Sequence, residues 1–434
     1  LDNLNSLGGI NVSVTPQIMQ QLLTWASRFG SCCFLDNHSY ESKFNAHEFL
    51  IGAGVVRELD VPPVNSFKNA DSFIKENHGK WIFGHLSYEL LHAHHGLQTI
   101  KKDNIDFPLI TLFVPQVVFK YNGNQVEIII QDESLDSGEV WQQILLTPIS
   151  QSTALPLEMV PRISREEYIK TVNNLRSHIL RGDCYEINFC QEFFSEQAEV
   201  DPLSIYQALA KASPNPFSCY YKYNEAHLMC ASPERYLTKR GNKLYSQPIK
   251  GTAPRNADVV ADLAAKEALA NSKKELSENV MVVDLVRNDF SIICEKGSVQ
   301  VDELYGIYSY PQVHQMISTI SGILKEETSF SDILCATFPI GSMTGAPKHR
   351  VMELIELYES SRRGLFAGAV GYIAPNGNFD FNVVIRSILY NTSNKYLSYL
   401  VGSGITWYSK ADAEYEECLW KAEAIKKILN IRPV

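Results

Sequence analysis

SCYYKYNEAHLMCASPERYLTKRGNKLYSQPIKGT, residues 218–252, is a series of short apolar runs interrupted at Asn224-Glu225 and at Arg240-Gly241-Asn242. Apolar runs of this length between turn residues are the pattern of antiparallel strands joined by tight turns. The spacing predicts a meander that delivers Lys250 at a strand end. A lysine before Gly251-Thr252 reads by itself as a solvated loop residue.

The flanking sequence mixes the two periodicities. Val117 to Lys120 and Val126 to Ile130 are β-rich runs around Asn122-Gly123, a hairpin signal. Thr15-Pro16 opens a helix whose face carries Ile18, Leu22 and Ala26 and which ends by Gly30. Ser164 and Glu167 form a capping box for a second helix, with Tyr168, Val172, Leu175 and Ile179 on one face and Gly182 as its stop. Val383 to Tyr390 and Tyr396 to Val401 read as neighbouring strands, the second passing into a glycine loop and a last helix. From about residue 150 to 163 neither period holds, which predicts a linker between a mixed α/β region, 1–155, and a second unit, 164–434. The fold class expected is α+β, a large β-sandwich-like framework with surrounding helices and a buried cleft.

Composition narrows the function classes. A chain of 434 residues, 45% hydrophobic and 20% charged, is long enough for an extensive core. No apolar run approaches the roughly 18 residues that a membrane span needs. A formal net charge of -10 argues against a nucleic-acid surface. The nine scattered cysteines include no C-x-x-C pair, so neither a disulfide framework nor a zinc site is indicated, and a reducing cytoplasm is the expected compartment. No secretory signal pattern is evident.

Two acidic pairs suggest a metal. Glu275 and Glu278, and again Glu414 and Glu417, stand at i, i+3, so each pair shares a helical face. Four facing carboxylates repel unless a hard cation lies among them, and Mg2+ prefers oxygen ligands. By spacing alone, each pair reads as a solvated helix face.

Four segments together resemble the chorismate-utilising enzymes of the anthranilate synthase component I family. They are Ala231-Ser232-Pro233-Glu234-Arg235, Gln247-Pro248-Ile249-Lys250-Gly251-Thr252, Gly341 to Lys348, and Gly402-Ser403-Gly404-Ile405-Thr406. The resemblance covers the second half from about Ser164. It implies Glu278 and Glu417 as inner Mg2+ ligands, with Glu275 and Glu414 reaching the ion directly or through water. It makes Glu234 the general acid, places Arg386 and Tyr372 on the enolpyruvyl carboxylate, and adds Thr252, the Gly404 backbone N-H and Lys421 to the substrate site. Read without it, Glu234 ends a turn, Arg386 is as readily an outward-facing or structurally paired strand residue as a ligand clamp, and Tyr372 belongs to the core.

Lys250 stands where anthranilate and isochorismate synthases carry alanine, and so resembles the aminodeoxychorismate synthase branch. That branch implies attack of a neutral Lys250 amine on C2 of chorismate, loss of the C4 hydroxyl, and addition of ammonia at C4 to give 4-amino-4-deoxychorismate. A neutral lysine calls for burial or a neighbouring cation. The sequence contains no G-x-C-x-G nucleophile segment, so ammonia is expected from a separate glutamine amidotransferase subunit. The rival readings are anthranilate synthase component I and a catalytically silent chorismate-binding partner subunit.

Three positions depart from the family pattern. Glu186 stands where water-adding relatives have a lysine base. The family histidine falls on Gln315, with His314 one place earlier. An inhibitor motif appears as Phe34-Leu35-Asp36-Asn37, with Pro214-Asn215-Pro216-Phe217 resembling part of its pocket, which leaves tryptophan binding open.

Overall fold

The structure is a computed structural model that describes residues 9–10, 14–40, 44, 47–59, 66–123, 125–149 and 157–429. Among them the chain builds two large antiparallel sheets, of twelve and ten strands, with helices around them. Strands from both ends of the sequence enter each sheet. Ser31–Asp36 pairs with Phe217–Tyr223 in the first, and Ile82–Leu86 pairs with Ala369–Ile373 in the second. Phe34, Phe83 and Phe119 therefore share one core with Tyr221, Leu389 and Leu400. Each fully buried side chain of this size contributes roughly 1.5–3 kcal/mol.

Local signals hold where the chemistry is local. Val117–Tyr121 pairs with Val126–Ile130 as a hairpin. The first helix is Pro16–Ala26, capped by the Thr15 hydroxyl, which accepts from the Ile18 N-H. Ser164 and Glu167 cap Arg165–Leu180 reciprocally, and Gly182 takes the left-handed conformation after it, at φ +84°. Of the stretch read as a linker, residues 150–156 lie outside the described residues, and Val160–Pro161 pairs with Glu186–Ser195.

The meander expected over 218–249 is instead two hairpins in different sheets. Phe217–Tyr223 and Ala226–Ser232 belong to the first sheet, and Arg235–Arg240 and Lys243–Gln247 to the second. The chain crosses at Pro233-Glu234, where proline offers no N-H to continue a ladder. A second crossing runs the other way. Phe379–Asn382 lies in the second sheet and Ser387–Asn391 in the first, so the strand expected over 383–390 is broken, with Arg386 in the break at φ +53°. The crossings lie side by side: Val383 N-H donates to Glu234 O at 3.0 Å and Ala231 N-H to Arg386 O at 3.1 Å. This seam positions the site.

Candidate active site

Each charged side chain in the seam has a local reason for its place. The Lys250 strand, Ile249–Pro254, pairs not with the preceding hairpin but with Val313–Ile323. Ile249 faces Ile317 and Thr252 faces Gln315, so the Lys250 strand carries one residue more than its partner. This is a β-bulge, which bends a strand and re-aims side chains. Gly251 supplies its left-handed backbone at φ +98°. The bulge turns Lys250 into a cleft of about 390 Å³, within the size range of small-molecule sites.

Four cations and four carboxylates line that cleft: Lys250, Lys274, Arg386 and Lys421, and Glu234, Glu275, Glu278 and Glu417. Thr252 and Gly404 line it as well. Glu234 is buried at the first crossing, where its Oε1 accepts from the Ser342 hydroxyl at 2.6 Å. Burial pushes its carboxyl up to about 7, with the Ser342 hydrogen bond opposing. Arg386 is half-buried, and its guanidinium makes no hydrogen bond or ion pair among the described residues. A left-handed arginine costs about 1–3 kcal/mol, and such strain collects at functional sites. The buried Arg363 braces this wall by donating to the Met343 and Asn188 carbonyls at 2.7 and 2.8 Å.

Lys250 lies against a carboxylate, not beside the cation that would favour a neutral amine. Its Nζ donates to Glu186 Oε1, with the two side chains 11% and 4% exposed. Burial pulls the lysine pKa down, but Glu186, Glu278 and Glu234 outweigh it and hold the group above the ordinary lysine range. Carboxylates, not a cation, are its neighbours. Gly404, whose strand Tyr396–Ile405 runs beside Glu186–Ser195, leaves room for the pair. A Cβ there would lie 2.7 Å from Glu186 Oε1 and 2.9 Å from Lys250 Nζ.

The acidic pairs sit on two helices, Lys273–Ile293 and Ala411–Lys421. Lys274 lies among them, with its charge favoured by Glu278, Glu414, Glu417 and Glu275 after the cost of burial. Lys421 bonds Glu417 at 2.7 Å and the Gly402 carbonyl at 3.0 Å. Burial raises Glu275 and pushes Glu278 up to about 7; at Glu417 the cost of burial is outweighed by Lys421, Lys274 and Lys250, which lower it. Glu414 is buried on the same helix and does not line the cleft. Among the described residues no three of His, Cys, Asp and Glu already stand as a metal-holding group. Yet Glu278 Oε1 is buried with no hydrogen-bond partner, 3.8 Å from Lys274 Nζ. An orphaned carboxylate oxygen among other carboxylates fits a hard divalent cation.

Tyr372 is not in this cleft. It lies in the strand Ala369–Ile373, against His47 and Trp81, and lines a separate cavity of about 50 Å³ with Asp36, Asn37 and Phe217. Phe366, six residues earlier, lines the main cleft. The reason is the strand register, which commits Tyr372 to its pairing with Phe83 and Asp380. Sequence reasoning also missed Lys274, although it adjoins Glu275, and missed Ser342 and the pairing of Glu186. Gln315 lines the cleft with a buried, unpartnered Oε1, whereas His314 bonds Ser309 and Asp262.

The sequence that builds this cleft matches the chorismate binding enzymes. The chain belongs to that family, whose model matches residues 35–427. It is 36% identical over 285 residues to aminodeoxychorismate synthase component 1 of Klebsiella aerogenes, a match covering 66% of this chain and 62% of that protein. The chain thus spans less than two thirds of that relative. It is 30% identical over 353 residues to anthranilate synthase component 1 of Saccharolobus solfataricus, covering 81% of each. The crystal structure of anthranilate synthase component I from Streptococcus pneumoniae TIGR4 shares the fold, with a TM-score of 0.77 at 22% identity over 99% of this chain and 95% of that one.

Proposed function

We propose that this chain aminates chorismate with ammonia to 4-amino-4-deoxychorismate, depends on Mg2+, and forms a covalent bond between substrate and Lys250. The observation that carries this reading is the Lys250 amine on a cleft wall it shares with Glu234, Arg386 and the carboxylate-bearing helices. Chorismate is a dianion. Arg386 offers a planar fork for one carboxylate. Glu275, Glu278 and Glu417, with Glu414 behind them, would hold Mg2+, which supplies positive charge for the other. Glu234, its carboxyl pushed up to about 7 by burial, donates a proton to the departing C4 hydroxyl, a poor leaving group without one. The Lys250 nitrogen bonds C2 as that hydroxyl leaves, and ammonia at C4 later displaces it. Ammonia comes from a separate glutamine amidotransferase subunit.

Anthranilate formation requires removal of the C2 hydrogen and loss of pyruvate. The Gln315 amide on this wall cannot take up a proton, and His314 is engaged elsewhere. Incubation of the purified chain with chorismate, Mg2+ and an ammonium salt, with the product identified by mass, tests the reading. The expected product is aminodeoxychorismate, lost in Lys250→Ala, with a mass adduct on Lys250 when ammonia is omitted. Anthranilate and pyruvate, or unchanged rates in Lys250→Ala, overturn it.

A further inference from the structure

We propose that Glu186 is the catalytic base of this site, taking the proton from Lys250 to make the amine nucleophilic and returning it when the lysine is released. This rests on the amination reading above and assigns a role that the reading leaves empty. As a lysine amine that donates to a buried carboxylate, Lys250 has no lone pair to offer until a proton leaves it. Its Nζ has one hydrogen-bond acceptor among the described residues, the Glu186 carboxylate, which is almost fully buried. The other acids around the amine have other tasks. Glu234 faces it from the sheet crossing and must stay protonated for the leaving hydroxyl. Glu278 and Glu275 face it from one helix and Glu417 from another, and these belong to the carboxylate cluster. Glu186 bonds directly to the reacting nitrogen, and Gly404 leaves the space in which the two side chains meet.

The steps balance with this acceptor. A proton moves from Nζ to a Glu186 oxygen, leaving a neutral amine beside a neutral acid. The nitrogen lone pair forms the N-C2 bond, both ring double bonds shift by one bond, and the C4-O bond breaks, the hydroxyl leaving as water with the Glu234 proton. When ammonia bonds C4, the double bonds shift back and the C2-N bond breaks, its electron pair returning to Nζ. The new C4 ammonium gives one proton to Glu234, and Glu186 returns its proton to Nζ. Chorismate and ammonia become aminodeoxychorismate and water, with no redox change. Transfer inside a closed pair needs no exchange with solvent, so the reactive form is reached at the same cost across the acid side of neutrality.

Glu186→Gln keeps the shape and a hydrogen-bond acceptor but removes the base. The assay is kcat for aminodeoxychorismate formation with saturating chorismate, ammonia and Mg2+, from pH 5.5 to 8. The native profile should be level on the acid side. In the Gln variant Lys250 must lose its proton to water, so an ascending limb should appear, falling about tenfold per pH unit below the lysine's own pKa. A merely structural role would lower the whole profile without adding that limb. Should the Gln variant not fold, Glu186→Ala with added formate replaces it, since formate fits the vacated carboxylate space and should restore turnover. A profile of native shape in Glu186→Gln, or absence of formate rescue in a folded Ala variant, overturns the inference. Loss of turnover in Lys250→Ala with a native profile in Glu186→Gln would sink the base assignment alone, whereas an active Lys250→Ala enzyme would sink the amination mechanism beneath it.

Discussion

Gly404→Ala separates two explanations of one glycine. The substitution keeps the backbone N-H that sequence resemblance assigns to substrate binding, and adds only a methyl group. That methyl would sit 2.7 Å from Glu186 Oε1 and 2.9 Å from Lys250 Nζ. Ordinary van der Waals contact begins near 3.4 Å, so the two charged tips must retreat by roughly half an ångström or more. Both are ends of flexible side chains, so the fold should survive, at a cost of about 1–3 kcal/mol for the overpacking. The proposed nucleophile is less forgiving. A misplacement near 1 Å costs about a hundredfold in rate, so a loss of roughly ten- to a hundredfold is expected in aminodeoxychorismate formation. Chorismate consumption with ammonium and Mg2+, together with a melting curve, reads both effects. A Gly404→Ala protein with turnover within about twofold of native would refute the claim that this glycine clears space for the Lys250–Glu186 pair.

Glu234→Gln should lower kcat by about 10²–10⁴, the usual contribution of a general acid. Because burial raises the Glu234 pKa from 4.5 to about 7, its proton supports the fold below about pH 4.5 and that support is lost as pH rises through about 7. The Gln variant should therefore melt higher than native at pH 8, by an amount worth at most ~3 kcal/mol, and like native at pH 4; equal melting at both would show that the carboxyl is not held protonated by burial. Mg2+ should raise the melting temperature of the native chain without substrate, because Glu278 Oε1 is a buried carboxylate oxygen with no hydrogen-bond partner. Glu278→Gln should remove most of that shift, and an undiminished shift would place the ion elsewhere.

The parts of this site that the sequence made legible are those in which neighbours along the chain determine the outcome. The i, i+3 spacing of Glu275 and Glu278, and of Glu414 and Glu417, was visible because each pair lies on one helix. The Ser164 cap and the Val117–Ile130 hairpin depend on hydrogen bonds within a few residues. The segments around Glu234, Lys250 and Gly404 were legible as motifs. Tyr372 was misplaced because a motif does not say which of two residues six apart, Phe366 or Tyr372, meets the cleft; strand register does.

By itself, then, the sequence determined the capped helices at Pro16 and Arg165, the hairpin over 117–130, the acidic pairs, and the family to which the chain belongs. Tertiary structure alone decided that Pro233-Glu234 and Arg386 are adjacent crossings between two sheets, and that Lys250 meets Glu186, 64 residues away. The physical reason is range. Backbone hydrogen bonds and side-chain periodicity act over a few residues, whereas the ionisation of a buried group is set by whatever charges the fold gathers around it in a medium that screens them poorly.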